Sequence, residues 1–131
     1  DVVKSTTAGI TAEAKQVLSA DEIQFFQQLI RKIPVADNVV EYAVNLSAKS
    51  RPGTEYASES TNSYLSWGAG PRASQYLIVG AKCHAALQGK YSPDIEDVQA
   101  VALPIRRHRL VRNYKAEAEG VTMENIITGM L

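Results

Sequence analysis

Residues 67–98, WGAGPRASQYLIVGAKCHAALQGKYSPDIEDV, decide the fold because they contain two helix starts and one helix end. The glycines and proline at 68–71 predict a turn that leads into a helix from about residue 71 to residue 87. Gly89 ends this helix. Residues 92–94, Ser-Pro-Asp, start the next helix with an N-cap, a proline at the first helical position and an acid. Residues at helical spacing form one face of the first helix: Ala73, Leu77, Ala81 and His84.

The sequence before this stretch predicts two more helices. Ser19 and Glu22 have the spacing of a capping box, and Pro34 ends the helix that follows them. Asp37 is the expected N-cap of the next helix, which fades near Lys49. The expected faces are Ile23, Phe26, Ile30 and Ile33 in the first of these helices and Val40, Ala43, Val44 and Ser47 in the second.

The remaining sequence completes a helical bundle. Pro104 is expected to kink or break the helix that carries Ile95, Val98, Ala102 and Ile105. Thr122 is expected to cap a last short helix with Ile126, Ile127 and Met130. Residues 52–66, PGTEYASESTNSYLS, have no sustained period and are interpreted as a long polar loop. Because apolar alternation never persists, the sequence predicts an all-α bundle of about five helices.

The length of the chain fits one domain with a short arm. The chain has 131 residues and a mass of 14.3 kDa. It begins with Asp1, and its two methionines are Met123 and Met130, so we expect it to be a piece of a longer protein. We interpret residues 1–18 as an arm that connects to a missing part and residues 19–131 as the helical domain.

Composition excludes several classes of function. Lys and Arg together number 14, as do Asp and Glu, which disfavours a globally basic nucleic-acid-binding protein. A single cysteine, Cys83, excludes an intrachain disulfide and favours a reducing, cytoplasmic location. With two histidines the chain offers a poor set of metal ligands, so no metal site is expected. The sequence has no run of 18 apolar residues, so it predicts no membrane span. Neither G-x-x-x-x-G-K-[ST] nor G-x-G-x-x-G occurs, so the chain alone should not bind a nucleotide tightly.

The most specific local pattern is the turn G-A-G-P-R-A at 68–73. Gly68 and Gly70 predict a turn with free backbone N–H groups, and Pro71 presets the start of the helix. Arg72 then projects from the first turn, where the helix dipole favours anions and a guanidinium suits a phosphate oxygen. An exposed arginine without a ligand remains the alternative. Trp67 is expected either near this site or as a core anchor for the loop.

A basic cluster follows the central helices, and its members are Arg106, Arg107, His108, Arg109 and Arg112. One interpretation is a nucleic-acid patch. The other is a solvated or inter-subunit face that pairs with acids such as Glu117 and Glu119. The neutral net charge and the lack of interleaved aromatic residues favour the second interpretation.

Other chemistry-bearing residues have structural explanations. Cys83 and His84 are neighbours on a helix, so their side chains diverge. We expect Cys83 to pack like a small apolar residue and His84 to lie in or beside the core. The acids Asp94, Glu96 and Asp97 are expected to complement the dipole at a helix N-terminus rather than to act as general acids.

Several motifs occur together and in a fixed order. They are V-L-S-A-D-E-I at 17–23, V-A-D-N-V-V-E-Y at 35–42 with the later Arg51, G-A-G-P-R-A at 68–73, G-K-Y-S-P-D-I-E-D-V at 89–98, H-R-L at 108–110 and E-G-V-T at 119–122. In this combination residues 17–130 resemble the C-terminal lid of MoxR-type AAA+ ATPases. The family often has Ser where this chain has Gly70, a position that needs only a short, permissive residue.

The resemblance implies a division of labour with a missing ATPase core. The core would supply the phosphate loop, and the full-length protein would use ATP and Mg²⁺, whereas this fragment alone would bind no cofactor and be inactive. Arg72 matches the sensor-2 arginine, which reaches the γ-phosphate, and the neighbouring Gly68, Gly70 and Pro71 would lie near the nucleotide. The possible subunit interface would consist of Arg106, Arg107, His108 and Arg109.

The resemblance also implies partners. Members of the family resemble hexameric, chaperone-like machines that mature or assemble other complexes, often with von Willebrand factor A-domain proteins. The expected partners of this chain are therefore its own core, neighbouring ring subunits and a von Willebrand factor A-domain protein, with no membrane and no nucleic acid. Two alternatives remain open: a protein-interaction bundle that uses loop 52–66, and a nucleic-acid-binding module that uses residues 106–112.

Overall fold

The computed structural model describes residues 2–7 and 14–131, and these ranges form eight α-helices and one small antiparallel sheet. The helices are α1 (Val2–Thr7), α2 (Ala20–Lys32), α3 (Asp37–Lys49), α4 (Glu59–Tyr64), α5 (Arg72–Leu87), α6 (Ile95–Arg106), α7 (Tyr114–Ala118) and α8 (Met123–Thr128). The strands are β1 (Leu65–Trp67) and β2 (Val111–Arg112), which pair antiparallel. The predicted all-α class is confirmed. Of the expected arm, residues 14–18 have irregular backbone, and its connecting role stays a prediction.

Helix α2 begins with the predicted capping box. The Glu22 N–H donates to Ser19 Oγ at 3.2 Å, and the Ser19 N–H donates to Glu22 Oε2 at 2.7 Å. The helix ends before Pro34, as predicted. Its apolar face packs against α5 only in part, because no residue of α2 is buried and Phe26 remains 46% exposed.

Helix α3 differs from the prediction at its start and on its face. The N-cap is Ala36, which makes no side-chain cap, and Asp37 is the first helical residue. The predicted Ala43 and Ser47 are buried, but Val40 and Val44 are exposed. Val39 and Leu46 occupy the core instead, so the helix is rotated from the predicted orientation. Both faces carry apolar residues, and periodicity alone does not choose between them.

The predicted polar loop at 52–66 is wrong over its second half. Ser58 caps α4 by accepting a hydrogen bond from the Thr61 N–H at 3.1 Å, and β1 follows directly. The Thr61 side chain is buried and donates towards Met130 Sδ at 3.8 Å. A helix of six residues is too short to show a period, so only its cap could have revealed it.

Helices α5 and α6 form the centre of the bundle and pack along each other. Gly89, with a φ of +75°, lies just beyond α5, and the N–H groups of Gly89 and Lys90 return to the carbonyls of Ala86 and Ala85. The N-cap of α6 is Asp94 rather than the predicted Ser92, and Pro104 lies inside α6 without ending it. The buried core joins these helices to α3 and α8 through Val39, Ala43, Leu46, Ala73, Leu77, Ala81, Val98, Ala102, Ile126, Ile127 and Met130.

Asp97 is a buried polar contact between α5 and α6. Its side chain is 1% exposed and accepts from the Asp94 N–H at 2.8 Å and from Lys90 Nζ at 3.1 Å. His84 Nδ1 lies 2.7 Å from Asp97 Oδ1, which places the imidazole beside the core as expected. Burial works to raise the pKa of the Asp97 carboxyl, but these hydrogen bonds outweigh it and hold the pKa below its usual 3.8. Asp97 therefore does more than complement the helix dipole.

We expect Asp97→Asn to lower the free energy of unfolding at pH 7 by about 1–3 kcal/mol, because a neutral amide cannot satisfy all three partners. A lowered folded-state pKa stabilises the fold above the unfolded pKa, and that contribution is lost as pH falls through the folded-state value. Urea unfolding at pH 7 and at pH 3 should therefore show a smaller loss on acidification in Asp97→Asn than in the unaltered chain. Glu96→Gln, which alters an exposed acid on the same turn, is the control and should unfold like the unaltered chain.

Candidate functional site

The turn before α5 places Arg72 at the first helical position with its side chain in solvent. Pro71 is the N-cap, and the Ala73 and Ser74 N–H groups donate to the carbonyls of Gly70 and Pro71 at 2.9 and 3.2 Å. Two N–H groups of the first helical turn, which were expected to be unpaired, are therefore already bonded. An anion at this end of α5 would depend on the Arg72 guanidinium more than on the backbone.

Two residues at the end of α3 bind the N–H and the carbonyl of one residue of this turn, Ala69. Ala69 is buried, and its N–H donates to Ser50 Oγ at 3.3 Å. Its carbonyl accepts from Arg51 Nε at 3.1 Å. A buried residue with both backbone groups bonded to a neighbouring element is fixed in position. The start of α5, and with it Arg72, is therefore anchored to α3.

The two predicted glycines of the turn have different roles. A Cβ at Gly68 would collide with the Ser50 carbonyl oxygen and lie 2.7 Å from Arg51 Cα, so only glycine fits there. A Cβ at Gly70 would meet no atom within 4 Å. Gly68 is thus required for the approach of the turn to α3, whereas Gly70 is in open space beside Arg72.

A cleft of about 340 Å³ lies beside the turn and is lined by Arg51, Pro52, Ser66, Trp67, Gly68 and Gly70. Trp67 is 71% exposed, so the interpretation of Trp67 as a core anchor is wrong. The indole instead adds an apolar wall to the same side of the domain that carries the turn.

Arg106 is not at a surface, contrary to the predicted interface. It is fully buried, donates from Nη2 to the Leu46 carbonyl at 2.7 Å and lies 3.7 Å from Met130 Sδ through Nη1. Burial lowers the pKa of the Arg106 guanidinium to about 10. Arg106 therefore joins α6 to α3 and to the C-terminal residues, and it is unavailable to nucleic acid or to another subunit.

Two other members of the basic cluster, Arg107 and Arg109, have separate partners. Arg107 is exposed and pairs with Glu124 at 2.9 Å, and His108 is exposed. Arg109 is half-buried, with its guanidinium 4.8 Å from the centre of the Tyr76 ring. The predicted acid Glu119 forms no ion pair with this cluster, because its carboxylate contacts Tyr64 and Lys115 instead. Residues 106–109 therefore do not form one continuous basic patch.

Cys83 is exposed, contrary to the prediction that it packs as a core residue. It lines an apolar groove of about 510 Å³ between α2 and α5, together with Leu18, Ile23, Phe26, Ile30 and Val79.

Residues 2–7 and 14–131 contain no group of three or more His, Cys, Asp or Glu side chains that could hold a metal ion. Within the same described ranges, no helix has the length and apolar character needed to cross a membrane.

Sequence reasoning singled out Arg72 and its turn but assigned no structural role to Ser50 or Arg51. Ser50 and Arg51 contact Ala69 across 19 and 18 residues of chain. Such a contact leaves no periodic pattern. The one available sign was Gly68, because a glycine before a helix often marks a close approach of two backbones.

Comparisons with known proteins agree on one domain type. Residues 57–129 match the AAA lid domain family. Over 124 residues, the chain is 31% identical to a protein named Chaperone MoxR1 from Mycobacterium tuberculosis, covering 94% of this chain and 33% of that protein. A crystal structure from Cytophaga hutchinsonii with a provisional ATPase assignment superposes with a TM-score of 0.82 at 27% identity, covering 98% of this chain and 39% of that one. The chain thus spans about a third of the length of these relatives.

Gly68→Ala should destabilise the domain by about 1–3 kcal/mol, because the turn must move away from Ser50 and Arg51 to admit a methyl group. Gly70→Ala is the matched control, and its stability should stay within about 0.5 kcal/mol of the unaltered chain. Thermal unfolding followed by circular dichroism would measure both. Equal stability of the two variants would contradict the close approach at Gly68.

Proposed function

Since the chain belongs to the AAA lid domain family and is a MoxR-type AAA+ lid, we propose that it closes over ATP bound by an ATPase core in the full-length protein. The observation that carries this proposal is the exposed Arg72 at the first position of α5, on a turn anchored to α3. A cation in a fixed position at a helix N-terminus is well suited to a phosphate oxygen.

Arg72 would contact the γ-phosphate, as the sensor-2 arginine of the family does. The planar guanidinium can bind two oxygens at once, and the dipole of the 16-residue α5 favours the same negative charge. ATP would supply the phosphoryl group, with Mg²⁺ held by the core. Gly68, Gly70 and Pro71 would be near the nucleotide because they lie within four residues of Arg72 in the same turn.

The contact would report the state of the nucleotide. A guanidinium that binds the γ-phosphate loses its partner when hydrolysis removes that group, so ATP and ADP would favour different positions of the lid. The anchored turn supports this role, because a displacement of Arg72 would be passed to α3 and α5 together. The lid would thus convert the loss of one phosphate into a movement of the whole domain.

The partners that we propose follow from the family. They are the chain's own ATPase core, the neighbouring subunits of a hexameric ring and a von Willebrand factor A-domain protein, in a cytoplasmic, chaperone-like machine. The exposed apolar residues of α2 support a protein contact on this domain, since Phe25 and Phe26 are 60% and 46% exposed. Arg107, His108 and Arg109 remain candidates for a subunit interface.

The structure gives less support to the nucleic-acid-binding alternative than the sequence did. Arg106 is buried, and Arg109 lies over Tyr76, so the basic residues of this stretch are divided between the core and separate surface contacts. A surface that binds the phosphate backbone of a nucleic acid needs several cations on one face. The alternative of a protein-interaction bundle draws on the apolar groove beside α2, and that groove is also compatible with a lid that contacts other parts of a ring.

The isolated chain should be folded and helical but should neither hydrolyse ATP nor bind it with micromolar affinity. Its sequence contains no phosphate-loop motif, and one arginine in water contributes too little binding energy alone. Circular dichroism, isothermal titration calorimetry and a phosphate-release assay would measure the three properties. Micromolar binding by the fragment would show that it carries a nucleotide site of its own.

In the full-length protein, Arg72→Ala should leave the fold intact and lower the rate of ATP turnover by about two to three decades. This corresponds to a loss of roughly 2–4 kcal/mol of transition-state stabilisation. Because Arg72 is exposed, its removal should change the stability of the domain little. Arg72→Lys should recover part of the rate, since an ammonium keeps the charge and loses the planar fork. Steady-state ATPase assays and thermal unfolding would measure these effects.

Arg107→Ala is the control for this experiment. Arg107 is another exposed arginine near the end of a helix, and its partner is Glu124. Its loss should leave the chemical step unchanged. Normal ATP turnover by Arg72→Ala would refute the proposed role. A loss confined to Arg107→Ala in an intact ring, checked by size-exclusion chromatography, would move the nucleotide-facing side of the lid to the end of α6, whereas a loss in a dissociated ring would assign Arg107 to a subunit contact.

A further inference from the structure

We infer that Arg51 is a positioning residue for Arg72, an inference that rests on the proposed contact between Arg72 and the γ-phosphate. Arg51 follows Ser50, the C-cap of α3, and is half-buried. Its Nε donates to the Ala69 carbonyl at 3.1 Å, across 18 residues of chain. Ala69 is three residues before Arg72, so this bond lets Arg51 act on Arg72 through the turn.

The bond from Arg51 completes the restraint on Ala69. The Ala69 N–H is already held by Ser50 Oγ at 3.3 Å, and Ala69 is 1% exposed. With one of these bonds the residue could still pivot about the other. With both bonds, and with Gly68 in contact with the backbone of α3, the turn is restrained against the end of α3 at three points.

The restraint continues from Ala69 to Arg72 through bonded backbone. The carbonyls of Gly70 and Pro71 accept from the N–H groups of Ala73 and Ser74, so the turn and the first turn of α5 form one hydrogen-bonded unit. Ala73 is buried in the core. The Cα of Arg72 is therefore fixed, and the remaining freedom belongs to its side chain.

The position of the Arg72 Cα matters because catalysis by a charged contact is sensitive to distance. A misplacement of about 1 Å at a reacting group can lower a rate by about a hundredfold. Loss of the Arg51 bond would leave Arg72 charged and exposed but would loosen its placement. We therefore expect Arg51→Ala to lower kcat for ATP by about tenfold in the full-length protein, with a smaller change in KM.

A double-mutant cycle separates positioning from a purely structural role. If Arg51 acts through Arg72, then Arg51→Ala should cost about tenfold in kcat in the normal background and nothing further in the Arg72→Ala background. A structural role would lower kcat by the same factor in both backgrounds. Arg51→Lys should restore only part of the activity, because it keeps the charge but places a methylene where Nε donates to the Ala69 carbonyl.

Two further variants complete the experiment. Ser50→Ala removes the other bond to Ala69 and should show the same dependence on Arg72, even if Arg51→Ala proves too unstable to assay. Lys49→Ala is the matched control, since it removes an exposed cation two residues from Arg51 that contacts Met130 O and not the turn. Its ATP turnover should be normal.

The outcomes distinguish this inference from the proposed function. Normal turnover by Arg72→Ala overturns both. A large loss in Arg72→Ala together with normal turnover in Arg51→Ala and Ser50→Ala overturns the positioning role alone, as does an equal loss from Arg51→Ala in both backgrounds. Loss from Arg51→Ala or Ser50→Ala that disappears in the Arg72→Ala background supports the inference.

Discussion

The close approach of the backbone at Gly68 to the end of α3 is the constraint on which the arrangement of this domain depends. No side chain fits between Gly68 and the backbone of Ser50 and Arg51. The approach brings Ala69 within reach of both Ser50 Oγ and Arg51 Nε. Because Ala69 lies just before α5, the same contact sets where the central helix begins. It thereby also sets the position of the exposed Arg72 at the start of that helix.

Buried polar groups hold the other elements to this centre. Arg106 extends from α6 to the Leu46 carbonyl of α3, and Asp97 of α6 accepts from Lys90 and contacts His84 of α5. Helices α5 and α6 are separated in the chain by a loop, and α3 and α6 by α4, β1 and α5. A buried polar group is costly wherever its partners are missing, so these contacts favour this arrangement of the helices over alternatives that would separate the partners. Two charged residues to which the sequence analysis gave roles at a surface or at a helix end, Arg106 and Asp97, are thus buried.

The helices that sequence analysis located most reliably are those with strong local signals. The capping box at Ser19, Gly89 beyond α5 and Thr122 at the start of α8 all lie where they were predicted. The errors occur where the signal is short or ambiguous. Helix α4 has only six residues, and α3 carries apolar residues on more than one face. For the candidate site, the motif around Arg72 could be predicted, but its anchoring by Ser50 and Arg51 could not.

The sequence by itself determined where most helices begin and end, because a cap or a breaker acts on backbone groups within about four residues of itself. It also placed Arg72 at the start of a helix after a permissive turn. Only the tertiary structure decided which charged residues are exposed. Arg106 and Arg107 are adjacent in the chain, yet Arg106 is buried against a carbonyl 60 residues away and Arg107 lies at the surface. Burial depends on what the rest of the chain brings to each side of a helix, and no local pattern contains that information.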